Sequence, residues 1–226
     1  LEVPREFVEY LGNERPMQAE DPPFLQELAH YEWVELALGI DEQDLDAVRV
    51  DPDGDLLAGV PVLSPLAWPL AYRFPVHRLG PQFLPDAPPA ESSFYVACRD
   101  RLDRVRFLSV NAVALRLVER LQQQPDLTGA AQLAALANEL PQLDPAAVRT
   151  GGATALAELR AAEILLGIRP DCLPRVNIPR GGPVSVVAVA RSGPRHARST
   201  PSMQPIAGFF ARTFATLVRQ GDFLGP

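Results

Sequence analysis

Ser92-Ser93-Phe94-Tyr95-Val96-Ala97-Cys98-Arg99 is followed, after the polar run Asp100 to Asp103, by Arg104-Val105-Arg106-Phe107-Leu108-Ser109-Val110. Aromatic and β-branched residues dominate both runs, and the second partly alternates charge with bulk, so the pair reads as a β-hairpin. The period then changes from two to 3.6. Val113, Ala114, Leu117, Val118 and Leu121 form one helical stripe, with Arg116, Glu119 and Arg120 outside it. Thr128 is placed to cap a second helix that buries Leu133, Leu136, Ala137 and Leu140. Asp144-Pro145 starts a third, whose apolar face runs through Val148, Leu156, Leu159, Ala162 and Leu166. Gly151-Gly152 interrupts that face, and Gly167 reads as its stop. A hairpin plus three helices over 91–169 is the layout of a winged-helix-like module, a unit that binds DNA or peptides rather than performing chemistry.

Outward from this module the chain changes twice. Residues 1–40 read as helical: Phe7, Val8 and Leu11 share a face, and Asp21-Pro22-Pro23 precedes a stronger helix that carries bulk on both sides, through Trp33, and ends at Gly39. Residues 45–90 are extended and punctuated by prolines, which suggests edge strands wrapped around a sheet. Residues 170–226 are rich in proline and glycine. That composition predicts poor order over 172–200, and Pro205 to Gln220 is compatible with one short amphipathic helix. The expected fold class is α+β: a helical segment (1–40), then an α+β domain (45–169) containing the module, then the tail. Leu117, Leu121, Leu133, Leu136, Leu159 and Trp33 are the expected core.

Charge narrows the function. All 21 basic residues are arginine, and the chain carries −7 overall. Residues 1–171 hold 14 arginines against 27 acids, whereas residues 172–226 hold 7 against one. The module itself has nine of each sign. A DNA-binding unit needs a basic face, because phosphate neutralisation supplies most of its affinity, so a neutral module counts against DNA. No run of about 18 apolar residues marks a membrane span. The first residues show no basic-then-apolar signal pattern, so export is not indicated and a cytoplasmic location is expected.

Catalytic and metal signatures are missing from the sequence. There is no Gly-x-Ser-x-Gly, no phosphate-cradling glycine loop and no dinucleotide fingerprint. Asp51-Pro52-Asp53-Gly54-Asp55 resembles the start of a calcium loop, but Leu56 and Val62 occupy the positions that need glycine and glutamate, so it reads as an acidic turn. His30, His77 and His196 share no metal-ligand spacing with one another or with a cysteine. Cys98 reads as a buried strand thiol and Cys172 as a loop thiol rather than as a disulfide pair. The expectation is a non-enzyme with no metal and no cofactor. Arg104 and Arg106 present two readings, a basic docking edge or the solvated face of an ordinary hairpin.

Several phrases together resemble the HvfC-like family, a group described as DNA-binding proteins and encoded beside multinuclear non-haem iron oxidative enzymes. They are Pro23 to Trp33, Pro61 to Trp68, Tyr72 to His77 and Val105 to Ala112, and the likeness extends over roughly residues 5–168. The resemblance implies a partner protein that helps the iron enzyme modify a ribosomally made precursor peptide. It also implies recognition like that of small PqqD-like proteins, in which a leader adds as a strand to the hairpin edge and packs against a helix. Arg104, Val105, Arg106, Phe107, Leu108 and Asn111 are then the candidate peptide-binding residues, with the arginines meeting acidic leader residues. His30, Trp33, Tyr72 and His77 are the candidate partner-binding residues. A DNA-binding regulator using the helix from Thr128 to Leu140 is the alternative. The family's helical domain is represented only by residues 1–38, and Ala207 to Leu224 faintly resembles the start of a DoxX-like membrane protein, which implies a truncated or frame-shifted reading frame.

Overall fold

The computed structural model of the chain describes residues 2–16, 18 and 20–170. Cys172, the region expected to be poorly ordered and the possible helix over 205–220 lie outside them. The described elements are helices α1 (Glu2–Asn13) and α2 (Leu25–Gly39), strands β1 (Pro61–Leu63), β2 (Ala67–Tyr72), β3 (Ser93–Arg99) and β4 (Val105–Ser109), helices α3 (Ala112–Gln123), α4 (Gly129–Glu139) and α5 (Pro145–Ala161), and strand β5 (Leu165–Ile168). The fold class is α+β.

The hairpin forms where the alternation put it. β3 and β4 pair antiparallel with Val96 opposite Leu108, and Asp103, at φ 57°, turns the chain between them. Asparagine and aspartate tolerate this left-handed conformation better than most residues. β2 joins on the other side of β3, giving a three-stranded antiparallel sheet in the order β2-β3-β4. β1 and β5 form a separate two-stranded pair. Both sheets thus include a strand from before residue 73, so the expected 91–169 module is interleaved with the proline-rich segment.

Strand alternation sends the sheet's side chains into two cores. Ala67, Val96 and Cys98 face α3, α4 and α5, where Leu117, Leu133, Leu136, Leu140 and Leu156 are buried. Leu70, Tyr72, Tyr95 and Ala97 face α2, where Val34 and Leu38 are buried. Each helix of the larger core starts on a side-chain cap: Asn111 accepts from the Ala114 amide, Thr128 from Ala131 and Asp144 from Ala146.

The structure corrects five expectations. Trp33 is only part-buried, lying against Trp68 with centroids 5.7 Å apart. Arg120 is buried rather than outside the helical stripe, because its guanidinium bonds to Glu139 on α4. Gly151-Gly152 neither splits nor ends α5; a Cβ on Gly152 would sit 2.3 Å from Leu133 Cδ2, so glycine permits the close α4–α5 approach. Leu166 and Gly167 do not finish a helix but belong to β5, where Gly167 adopts φ +148° and a Cβ would fall 2.3 Å from the Asp51 carbonyl oxygen. Extended segments expected at 45–50 and 70–77 contain short 3-10 turns at Leu45–Ala47 and Val76–Arg78. In the acidic turn, Asp51 accepts from the Asp53 amide and Asp55 from Leu57.

Leu117 is fully enclosed in the larger core. Leu117→Ala is expected to cost about 2–5 kcal/mol in a urea melt through lost transfer energy and the cavity left behind. A loss below about 0.5 kcal/mol would show that this helix face does not carry the core.

Candidate functional site

A three-stranded sheet has two edges, and here they differ. Asp100 N donates to Arg104 O (3.1 Å) and Val110 N to Phe94 O (3.0 Å), so even-numbered positions of β4 spend their backbone groups on β3. Val105, Phe107 and Ser109 therefore turn their N–H and C=O groups away from the sheet, and no described residue pairs with them. On the opposite edge, Arg99 N donates to Leu66 O (3.3 Å), which turns Ala67, Pro69 and Ala71 outward. That edge is blocked along Ala67 and Pro69, leaving Ala71 as its outward position without a bonded partner among the described residues. The Ala67 amide bonds to Ser64 O (3.1 Å), the Ala67 carbonyl accepts from Gln122 Nε2 (3.2 Å), and Pro69 has no N–H to offer. β4 is the open edge.

Around β4 the candidate peptide-binding residues divide. Phe107 stacks on Tyr31 of α2 with centroids 4.3 Å apart, making an aromatic wall on one side of the edge. Val105 lies on the same face, near Gly39. Leu108 points the other way and packs on the larger core. Arg106 shares that side and donates to the Ala162 carbonyl at the end of α5 (3.2 Å). Asn111 is already engaged as the cap of α3.

Arg104 and Arg106 converge on one carboxylate. Asp100 is buried and accepts from Arg104 Nε (2.9 Å), with Arg106 Nε at 3.5 Å. Burial opposes its charge, but the Arg104 and Leu102 amides and the Arg104 guanidinium outweigh that and hold the carboxyl below its usual range. Both arginines therefore have an internal partner, which neither reading of the sequence included.

The candidate partner-binding residues gather where α2 meets the sheet. His30 Nδ1 lies 2.9 Å from the Tyr72 hydroxyl, and the Trp33 ring flanks His30 at 5.6 Å. His77, on an exposed turn, meets the Tyr95 hydroxyl at 2.5 Å. Tyr72 and Tyr95 are buried neighbours, which links the two pairs. Burial pushes the His30 imidazole down to about 4 and the Tyr72 phenol up. Glu27 accepts from the Phe74 amide (2.8 Å), and burial raises its carboxyl. These contacts orient α2; Trp33 and His77 keep exposed surface.

The strands and helices from β2 to α5 coincide with a known family. Residues 64–160 match the model of the HvfC C-terminal domain. Over these residues the chain is similar to the HvfC C-terminal domain. The match covers the open edge, the Arg104–Asp100–Arg106 cluster and all three helices of the larger core. An HvfC-like domain fits a partner or accessory role in general. No curated protein matches the sequence. No helix among the described residues is long and apolar enough to cross a membrane.

His30 supplies a pH test. Its depressed imidazole means that the folded state resists protonation, so its contribution is intact above the unfolded value near 6.5 and is lost as pH falls toward about 4. The loss is at most about 3 kcal/mol. Glu27 works in the opposite direction, because a raised carboxyl gains stability on acidification. In denaturant melts at falling pH, His30→Gln is expected to flatten the wild-type decline between those limits. An identical slope in both proteins would mean that His30 is not held neutral.

Proposed function

We propose that this HvfC-like chain is a non-catalytic partner protein. It binds a ribosomally made precursor peptide as an added strand on β4, and assists an iron-dependent peptide-modifying enzyme. One observation carries the reading: β4 offers an unbroken run of backbone donors and acceptors in register, whereas the β2 edge is already bonded at Ala67 and lacks a donor at Pro69. An extended peptide can satisfy Val105, Phe107 and Ser109 with main-chain bonds, while alternate side chains meet Tyr31 and Phe107 on one face and Leu108 and the end of α5 on the other. Residues on the exposed side of α2, with Trp33 and His77, are left to face the enzyme. A cytoplasmic encounter suits a peptide met soon after synthesis. The balanced charge of residues 91–169 disfavours a regulator that grips duplex phosphates.

Ser109→Pro tests this. Ser109 is exposed and its amide faces outward, so proline leaves the β3 ladder intact while deleting one donor and crowding an incoming strand. One lost hydrogen bond of about 1 kcal/mol corresponds to roughly fivefold weaker binding, and the steric clash adds to it. Calorimetry with a synthetic leader segment of the cognate precursor should show at least that loss, with circular dichroism unchanged. Wild-type amides at Val105 and Phe107 should gain hydrogen-exchange protection on binding. Unchanged affinity, or tight salt-sensitive binding to duplex DNA, would replace this reading with the regulator.

A further inference from the structure

At the Val105 end of the open edge lies a cleft of about 600 Å³ between the loop after α2 and the β3–β4 turn. Six acids line it against two arginines. The cations do not offset this locally. Arg99 is 9% exposed and gives its guanidinium to the carbonyls of Leu38 (3.1 Å), Asp41 (2.5 Å) and Gln43 (2.9 Å). Arg101 is held by Asp46 (3.0 Å) and Glu163 (3.9 Å). Arg104 and Arg106 converge on buried Asp100, so even with them counted the acids are in excess. Glu42, Asp44 and Asp103 remain exposed, Asp103 at 86%. A second feature points to an entering chain: the cleft adjoins Val105, whose outward N–H and C=O have no partner among the described residues. The buried Nε of Arg99 makes no hydrogen bond and lies 3.6 Å from Asp103.

We infer that the strand accepted by β4 carries arginine or lysine side chains at the end lying over the β3–β4 turn, and that the acidic cleft reads them. This rests on the strand-addition reading above and reverses the acidic leader expected from Arg104 and Arg106. The cleft selects by charge, while the edge beside it supplies backbone pairing that tolerates many sequences.

The experiment is selection on the full chain from a display library of short peptides with alternating valine and threonine at the centre and randomised ends. Two variants accompany it. Glu42→Gln/Asp44→Asn/Asp46→Asn/Asp103→Asn removes four charges but keeps the Asp44 turn cap and the left-handed position 103, both of which asparagine supports. Ser109→Pro blocks the edge. The expected result is enrichment of arginine and lysine at one end, loss of that bias on the neutralised variant, and loss of capture on Ser109→Pro. Enrichment of aspartate and glutamate, or capture by the edge without charge bias, overturns the inference and leaves strand addition standing. Capture indifferent to Ser109→Pro, or no capture at all, removes strand addition and the inference with it. A β4-to-β4 dimer in sedimentation that excludes peptide assigns the edge to a second copy and also overturns it.

Discussion

The backbone ladder on both sides of β3 holds the two cores apart and in register. Val96 and Cys98 point to one core, Tyr95 and Ala97 to the other, and both pairs are almost wholly buried. A one-residue slip against β2 or β4 would exchange every one of these side chains, setting Tyr95 into the leucine-packed side and Val96 among the polar rings beneath α2. The end of the strand is pinned as well. Arg99 reaches the Leu38 carbonyl in the last turn of α2, where a helix leaves unsatisfied acceptors, and the Asp41 and Gln43 carbonyls of the loop beyond it, and so ties the smaller core's helix to the sheet's central strand. The orientation of α2, the aromatic wall beside β4 and the shape of the acidic cleft all follow from that register.

Much of this was legible locally. The hairpin and the three helices announce themselves through a change of period and, for the second and third helices, through Thr and Asp caps, signals contained within a few residues; the Asn111 cap of α3 emerged only in the fold. The misreadings share a different cause. Leu165 and Leu166 form a short buried strand, and a brief apolar run after a helix carries no period to distinguish the two. Arg120 reads as solvent-facing because its partner Glu139 belongs to the next helix. Trp33 reads as core, yet the neighbour that covers it is another part-buried tryptophan, Trp68.

The site divides in the same way. That residues 104–110 form a strand is a local fact; that their outer edge is open depends on β2 taking the other side of β3, which is a long-range pairing. Pro69 was the available hint, since proline on an edge strand closes it. Arg104 and Arg106 looked unpaired because a hairpin turn brings Asp100 back beneath both, and turn geometry rather than periodicity decides that. The His30–Tyr72 and Tyr95–His77 contacts were equally remote in sequence, so their role in seating α2 could be read only from the fold.

The asymmetry of the sheet bears on how the protein behaves when crowded. Sheets with two open edges can recruit copies from both sides and grow without limit. Here Pro69, with the Ala67 backbone groups already bonded, terminates one side. Pairing through the other consumes the open edge of each participant, giving a self-complementary contact that leaves no site for a third copy. A sheet of this kind is a chain terminator: it can accept a strand on β4, while its other edge is interrupted at Ala67 and Pro69 and so offers a fibre no continuous ladder to propagate.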